Sequence, residues 1–343
     1  MIKGKKILVT GGTGYIGSHT SVELIKAGFE IVIADNLSNS KIEVLKGIEE
    51  ITGKNPDFYN VDFSDKIQVE DFFNKVKNID AVIHFAAFKA VGESVENPLK
   101  YYRNNVGGMI NLLDAMQENR IENLVFSSSC TVYGQPDILP VDESAPIKPA
   151  LSPYGNTKQI CEEIITDICK TSENLFAVCL RYFNPVGAHP SAKIGELPIG
   201  VPNNLVPFIT QTAAGIHEKL MVFGNDYNTR DGSCVRDYIN VVDLALAHVL
   251  AVKRLVEKNT KGSVEFFNLG TGTGVTVFEV IKAFEEATGV TLNYNISERR
   301  QGDVEAVFSD NTLAEKELNW KPTTNLNETM LSAWNWEKTL RKK

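Results

Sequence analysis

A doubly wound parallel α/β sheet, Rossmann-type, with a smaller C-terminal α/β domain is the fold that three observations predict. Short apolar runs rich in Val, Ile and Phe alternate with amphipathic helical stretches through the first half of the 343-residue chain. A glycine-rich turn closes the first of those runs, and a cluster of hydroxyls closes the fifth. With 43% hydrophobic side chains, a chain of this length can bury a large core in one large domain or two.

The first strand, Ile7 to Thr10, leads into Thr10-Gly11-Gly12-Thr13-Gly14-Tyr15-Ile16-Gly17 and a helix running to about Ala27. Strand, turn and helix in that order make a dinucleotide site of what is otherwise a weak glycine pattern. Gly11 suits the tight turn, Gly14 the close approach of a pyrophosphate and Gly17 the packing of helix on strand. The second strand, Glu30 to Asp35, ends on a carboxylate 18 residues after Gly17. A carboxylate there accepts from ribose hydroxyls and repels a 2′-phosphate, which favours NAD over NADP. The third strand, Asp57 to Asp62, delivers Asp62 and Phe63 to an adenine, and the fourth, Asp80 to Ala86, is followed by further candidate cofactor contacts at Phe85, Ala86, Ala87 and Lys89. His19 and His84 read as packed groups.

A long helix near Pro98 to Asn119 precedes the fifth strand, Asn123-Leu-Val-Phe-Ser-Ser-Ser129, and a second long helix, Tyr154 to Thr171, precedes a strand from Leu175 to Phe183. From Pro185 the texture changes to loops broken by Pro190, Pro198, Pro202 and Pro207, then a helix at Val206 to His217 and a strand at Leu220 to Phe223. A helix at Val242 to Lys258 and a strand at Val264 to Leu269 resume the α/β rhythm. The expected division is a cofactor domain over 1–184, to which the chain returns around 236–270, and a cap domain over 185–343.

Tyr154-Gly155-Asn156-Thr157-Lys158, 25 residues after Ser129, reads as an acid/base device. A free phenol with a pKa of ~10 needs help of roughly three units, or ~4 kcal/mol, to serve as a base at neutral pH. One unit charge ~4 Å away at an effective dielectric of about 20 contributes that much. Lys158 lies one helical turn beyond Tyr154, on the same face. Pro153 sets the chain into the first turn, so strand end and helix start can converge on one crevice.

A net charge of -8 without a dense basic run excludes a nucleic-acid binder. The run after Met-Ile-Lys-Gly-Lys-Lys is too brief for a signal-peptide core, and no apolar stretch reaches membrane-spanning length, so a soluble cytoplasmic protein is expected. Five cysteines without paired C-x-x-C spacing indicate neither a disulfide framework nor a metal site.

With these residues in hand, the chain resembles an extended short-chain dehydrogenase/reductase. Asn36-Leu-Ser-Asn-Ser40, His84-Phe-Ala-Ala-Phe-Lys-Ala-Val-Gly-Glu-Ser94, Ser127-Ser-Ser-Cys-Thr-Val-Tyr-Gly134 and Arg181-Tyr-Phe-Asn-Pro-Val-Gly-Ala-His-Pro190 are similar to the UDP-glucose 4-epimerase family in particular. Pro202-Asn-Asn-Leu205, Phe223-Gly-Asn-Asp226, Val235-Arg-Asp-Tyr238 and Arg299-Arg-Gln-Gly-Asp303 match that family's nucleotide-sugar segments. The resemblance implies that Tyr15, Ile16, Asp35, Asn36, Asn39, Ser40, Asp62, Phe63, Phe85, Lys89, Asn104, Ser127, Lys158 and Tyr182 line a tightly bound NAD. It assigns Asn184, Asn204, Leu205, Phe223, Arg236, Arg300 and Asp303 to the UDP moiety, with Lys89, Ser129 and Tyr154 also at the substrate. Arg236 and Arg300 suit diphosphate oxygens, which a planar guanidinium grips through two parallel bonds.

The implied activity is that of an isomerase of galactose and other carbohydrate metabolism: UDP-galactose and UDP-glucose interconvert through a 4-keto sugar. Tyr154 takes the 4-hydroxyl proton directly or through Ser129. Val307, four residues after Asp303, stands where a tyrosine closes the pocket to an N-acetyl group in this family. Either the smaller side chain admits UDP-GalNAc and UDP-GlcNAc, or Val307 merely packs and another side chain closes the pocket. The family also implies a homodimer joined through the two long helices. A 4,6-dehydratase would want an Asp-Glu pair where this chain has Cys130-Thr131. A UDP-glucuronate 4-epimerase would differ only in its C6 pocket, and a non-catalytic NAD-binding module would not need Ser129, Tyr154 and Lys158 together.

Overall fold

Strands made almost wholly of Val, Ile, Leu and Ala have no polar face, so they are stable only with helices on both sides. The computed structural model describes residues 2–300 and 304–342. In chain order its first half contains β1 (Lys6–Thr10), α1 (Tyr15–Lys26), β2 (Glu30–Asp35), α2 (Val44–Thr52), β3 (Asp57–Asn60), α3 (Lys66–Lys75), β4 (Ala81–His84), α4 (Val91–Glu96), α5 (Pro98–Tyr101), a π-helical turn (Tyr102–Val106), α6 (Gly107–Glu118) and β5 (Asn123–Ser129). A 3₁₀ turn (Cys130–Tyr133), α7 (Pro153–Thr171), β6 (Phe176–Tyr182), β7 (Asn184–Val186), α8 (Leu205–Ala213), β8 (Leu220–Phe223), β9 (Val235–Arg236), β10 (Tyr238–Asn240) and α9 (Val241–Val256) follow. The chain ends with β11 (Val264–Leu269), β12 (Val275–Thr276), α10 (Val277–Thr288), β13 (Tyr294–Ser297), β14 (Ala306–Val307), α11 (Thr312–Leu318) and α12 (Leu326–Arg341).

Seven strands form one parallel sheet in the order β11-β6-β5-β4-β1-β2-β3. The order reverses between β1 and β4, and ligands of such sheets bind in the crevice outside the strand ends at that point. One face is covered by α1, α9 and α11 over a core that includes Val9, Ile33, Ile83, Leu180 and Leu269. The other is covered by α3, α6 and α7 over Leu8, Val82, Phe126 and Cys179. Each fully buried Leu or Phe in these layers contributes about 1.5–3 kcal/mol.

The third strand stops at Asn60, two residues short of the sequence expectation, because the Asp62 carboxylate turns the chain by accepting from the backbone N–H and hydroxyl of Ser64. The long helix predicted at Pro98 runs unbroken through the π turn into α6, with helical dihedrals at Tyr101, Tyr102, Val106 and Gly107. Beyond β6, three small sheets pair β10 with β7, β12 and β14 with β9, and β13 with β8. Most of these elements surround a separate core of Val206, Ile209, Val222, Phe284 and Met330 beneath α8, α10 and α12. Between these pieces the chain re-enters the first layer system, where α9 packs on α1 and over β4 to β6, and β11 pairs with β6.

Candidate active site

The glycine turn is shaped by contacts that only hydrogen can tolerate. A Cβ on Gly17 would lie 2.3 Å from the Gly11 carbonyl oxygen, and one on Gly11, whose φ is +68°, would lie 2.8 Å from the Ala86 nitrogen. The N-terminus of α1 is therefore drawn tight against β1 and β4. Gly14 caps that helix without any side chain on its first amides, so those N–H groups remain available to an anion. This is the observation that fits the protein to a dinucleotide pyrophosphate.

Asp35 at the end of β2 accepts from the Thr13 N–H at 3.2 Å, the Leu37 N–H at 2.9 Å and the Ser40 hydroxyl at 3.2 Å. The Thr13 bond alone reaches its second oxygen, which retains acceptor capacity for a ribose hydroxyl. Asn36 donates to Asp62 at 3.2 Å, joining the loops after β2 and β3, while Phe63 is buried beside them and Asn39 is exposed at the rim. Ala86 donates to the Thr10 hydroxyl at 3.3 Å, Phe85 packs on His248, and Ala87 and Lys89 continue the same loop. His19 and His84 are buried, and burial lowers both to about 3, so they are neutral packed groups. Asn104 sits in the π turn and donates to Asn105, which clamps both backbone groups of Phe88 and reaches the Thr157 hydroxyl on α7 at 3.0 Å.

Ser152 caps α7 and Pro153 starts it, placing Tyr154 in the first turn and Lys158 in the second. Ser129 accepts from the Thr131 N–H at 3.2 Å, and its hydroxyl acts on the Tyr154 phenol so as to lower its pKa. Lys158 donates from Nζ to the Ser127 carbonyl at 2.6 Å, and the Ser127 and Tyr182 hydroxyls are hydrogen-bonded to each other. The structure thus brings together Ser127, Ser129, Tyr154, Lys158 and Tyr182 at the ends of β5 and β6.

Burial pushes the Tyr154 phenol up to about 12, with the Ser129 hydroxyl pulling it down and Cys130 adding to the rise. Lys158 reaches the strand ends from the next turn of the helix. Its ammonium is turned to a backbone carbonyl at the strand end, and burial lowers it to about 8 against the opposing pull of Cys161, Glu162 and Cys179. Helical spacing gave the shared face but not the desolvation, which for these two groups is the larger effect.

On the cap side, Asn184 begins β7, Asn204 and Leu205 open α8, and Arg236 in β9 lies in register with Val307 in β14. Phe223 ends β8 and is 43% exposed, and the Arg300 guanidinium lies 5.8 Å from its ring. Asp303 lies outside the described residues.

Two groups at this boundary escaped sequence reasoning. Glu196 accepts from Asn204 at 2.8 Å and pairs with Lys89 at 3.3 Å, while its backbone carbonyl takes the Trp336 indole N–H at 2.8 Å. Asp237, fully buried beside Arg236, accepts from Thr271, Gly272 and Ser309 and so ties together the segments flanking the cap side of the site. The adjacent charges Arg236 and Asp237 between Val235 and Tyr238-Ile239 were the available signal for Asp237, because a buried charge demands partners.

A dinucleotide turn after β1 and a Ser/Tyr/Lys set after β5 of the same parallel sheet, with Arg236 on a small sheet beyond β6, is the arrangement of an extended short-chain dehydrogenase/reductase. A family model described as GDP-mannose 4,6 dehydratase matches residues 8–332, and the chain belongs to that family. Within it, the chain belongs with the UDP-glucose 4-epimerases. It is 51% identical over 332 residues to the UDP-glucose 4-epimerase of Bacillus subtilis, covering 96% of each chain, and 50% identical over 332 residues to that of Dictyostelium discoideum, covering 97% of this chain and 95% of the relative. Among solved structures it matches the enzyme from Stenotrophomonas maltophila with bound NAD and formylated UDP-arabinopyranose at a TM-score of 0.94 and 47% identity, covering 98% of this chain and 99% of that one. The Bifidobacterium longum enzyme in complex with NAD+ and UDP matches at 0.93 and 44%, covering 98% of both.

Proposed function

We propose that this protein is an NAD-dependent isomerase that inverts C4 of a UDP-hexose, interconverting UDP-galactose and UDP-glucose. The observation that carries the reading is the meeting of Ser129, Tyr154 and Lys158 at the end of β5, in the same parallel sheet and two strands from the β1 end where α1 begins with an unoccluded N-terminus. Gly11, Gly14, Tyr15, Ile16 and Gly17 would hold the pyrophosphate, Asp35, Asn36, Asn39, Ser40, Asp62 and Phe63 the adenosine, and Phe85, Ala86, Ala87, Lys89, Asn104, Ser127, Lys158 and Tyr182 the remainder. NAD, when bound, supplies the acceptor for the C4 hydride and returns that hydride to the resulting ketone.

Tyr154 removes the 4-hydroxyl proton and later gives it back, and Ser129, acting on the phenol, orients the sugar oxygen or relays the proton. Asn184, Asn204, Leu205, Phe223, Arg236, Arg300 and Asp303 hold the UDP moiety while the hexose turns to present its other face. Cys130 and Thr131 stand where a dehydratase would need its Asp-Glu pair, which supports epimerisation over water elimination within the wider family.

The test is incubation of purified protein with UDP-galactose and no added NAD, following UDP-glucose by NMR, with Tyr154→Phe alongside. Interconversion that collapses in the variant is expected. No conversion even after NAD is added overturns the reading.

Finer parts of the proposal have their own supports. Val307 is small and partly exposed beside Arg236, which supports acceptance of UDP-N-acetylhexosamines, although it also packs with the cluster of Val132, Tyr133, Val141 and Phe183. Val307→Tyr should abolish UDP-GalNAc turnover and spare UDP-galactose; wild-type protein inert to UDP-GalNAc refutes it. Leu99 on α5 is 62% exposed and Ile110 on α6 is 44% exposed, which supports a homodimer through the long helices, and a monomer mass by light scattering would count against it. No described helix is long and apolar enough to cross a membrane, and all five cysteines are free, which supports a cytoplasmic setting testable by cell fractionation.

A further inference from the structure

Ser128 lies between Ser127 and Ser129, so its side chain points to the other face of the sheet. There it sits in one cross-strand row with Arg181 and Asn268. Glu162 reaches that row from α7, one helical turn after Lys158. Its carboxylate accepts from the Ser128 hydroxyl at 2.5 Å and is gripped by Arg181 through Nε at 2.9 Å and Nη2 at 2.6 Å. Arg181 also donates to the Tyr133 hydroxyl at 3.0 Å, and Tyr133 donates to Asn268 at 2.7 Å. The guanidinium is flanked by the rings of Tyr133 and Phe266.

Glu162 and Arg181 are 6% and 5% exposed, and Ser128 and Asn268 are fully buried. Taking two such charges out of water costs several kcal/mol per ion, and apolar side chains of similar volume often serve stability as well or better. Stability alone therefore does not account for a pair placed here. The buried face of α7 supplies the reason. From its start it presents Gly155, Thr157, Lys158 and Cys161, and the first large apolar side chain buried on it is Ile165. The half of the helix that carries Tyr154 and Lys158 buries no large apolar knob, and its direct hold on the strands is the bond from Lys158 to the Ser127 carbonyl.

We propose that Glu162 and Arg181 are positioning residues for the epimerisation: their bidentate pair, with Ser128, fixes α7 on β5 and β6 so that Tyr154 and Lys158 meet Ser129 and Ser127. The kinetic part of this inference rests on the function proposed above. Neither side chain touches the reacting atoms, since the row lies on the sheet face opposite the Ser127 and Ser129 side chains. A misplacement of about 1 Å costs on the order of 10²-fold in rate, so register here governs turnover rather than binding.

The test replaces the pair by side chains that fill the space, Glu162→Met with Arg181→Met, and separately removes one donor by Ser128→Ala. For the folded double variant we expect NAD content and the KM for UDP-galactose near wild type, kcat lowered at least ~10-fold, and faster amide hydrogen exchange confined to the first two turns of α7. Ser128→Ala should lower kcat several-fold at unchanged KM. A folded double variant with wild-type kcat and wild-type exchange in α7 overturns the proposal. If the double variant does not fold, unchanged kcat and unchanged α7 exchange in Ser128→Ala overturn it. The exchange measurement decides the positioning claim even if wild-type protein failed to epimerise, a result that would instead overturn the function.

Discussion

Replacing Lys158 by Met removes a charge that the fold buries, and the structure sets the size of the effect. Lys158 is 4% exposed, and burial lowers it from 10.5 to about 8. At about 1.36 kcal/mol per unit, holding the protonated form in place costs roughly 3 kcal/mol relative to a neutral group. Met matches the lysine stem in length and shape but loses the bond to the Ser127 carbonyl, worth about 1 kcal/mol net. Nucleotide-free Lys158→Met should therefore be about 2 kcal/mol more stable than wild type at pH 7, or about 3 °C in Tm for a chain of this size, while epimerisation falls by about 10²-fold or more.

The pH dependence follows from the same shift. Between about 8 and 10.5 the native wild type has released the Lys158 proton while the unfolded chain still binds it, so wild-type stability rises with pH relative to the variant. The variant's advantage, greatest below pH 8, should fade toward pH 10. Protein stripped of nucleotide on charcoal and followed by calorimetry across this range is the assay. A wild type more stable than the variant at pH 7, or a gap that does not change with pH, would falsify the burial argument.

Two further substitutions probe the cofactor turn and the boundary with the cap. Gly17→Ala places a methyl group against backbone on both Gly11 and Gly12, an overpacking of about 1–3 kcal/mol that α1 relieves only by leaving the turn. NAD recovered per protomer after gel filtration should drop well below wild type, and full occupancy would show that the turn does not grip the pyrophosphate. Glu196→Gln removes the charge that holds Lys89 and keeps an acceptor for Asn204. A loss of about 1 kcal/mol would raise the KM for UDP-galactose about 5-fold with a smaller change in kcat; an unchanged KM rejects the role.

The doubly wound sheet was legible because its signals are local: apolar runs, a glycine turn and a helix start each declare themselves within a few residues. Tyr154 and Lys158 were legible for the same reason, since four residues along a helix is a fixed geometry. Their protonation was not, because burial comes from α7 closing on β5 and β6. Glu162 and Arg181 carried a signal, a lone arginine in the apolar run Phe176-Ala-Val-Cys-Leu-Arg-Tyr182, but its partners Ser128 and Tyr133 come from strands and turns about 50 residues upstream. Glu196 lies in a proline-broken loop and, besides Asn204 nearby, its contacts Lys89 and Trp336 are more than 100 positions away in either direction. Nothing in its own neighbourhood marks it.

The return of α9 and β11 to the first sheet makes the protein one indivisible piece of heredity. A gene fragment encoding residues 1–184 carries the glycine turn and all of Ser129, Tyr154 and Lys158, yet lacks the strand that hydrogen-bonds to β6 and the helix that covers β4 to β6. Its product would present a bare, apolar parallel edge beside an uncovered face, the condition under which chains add to one another. Such a fragment should precipitate as it is made, and co-expression with residues 185–343 should bring it back into solution.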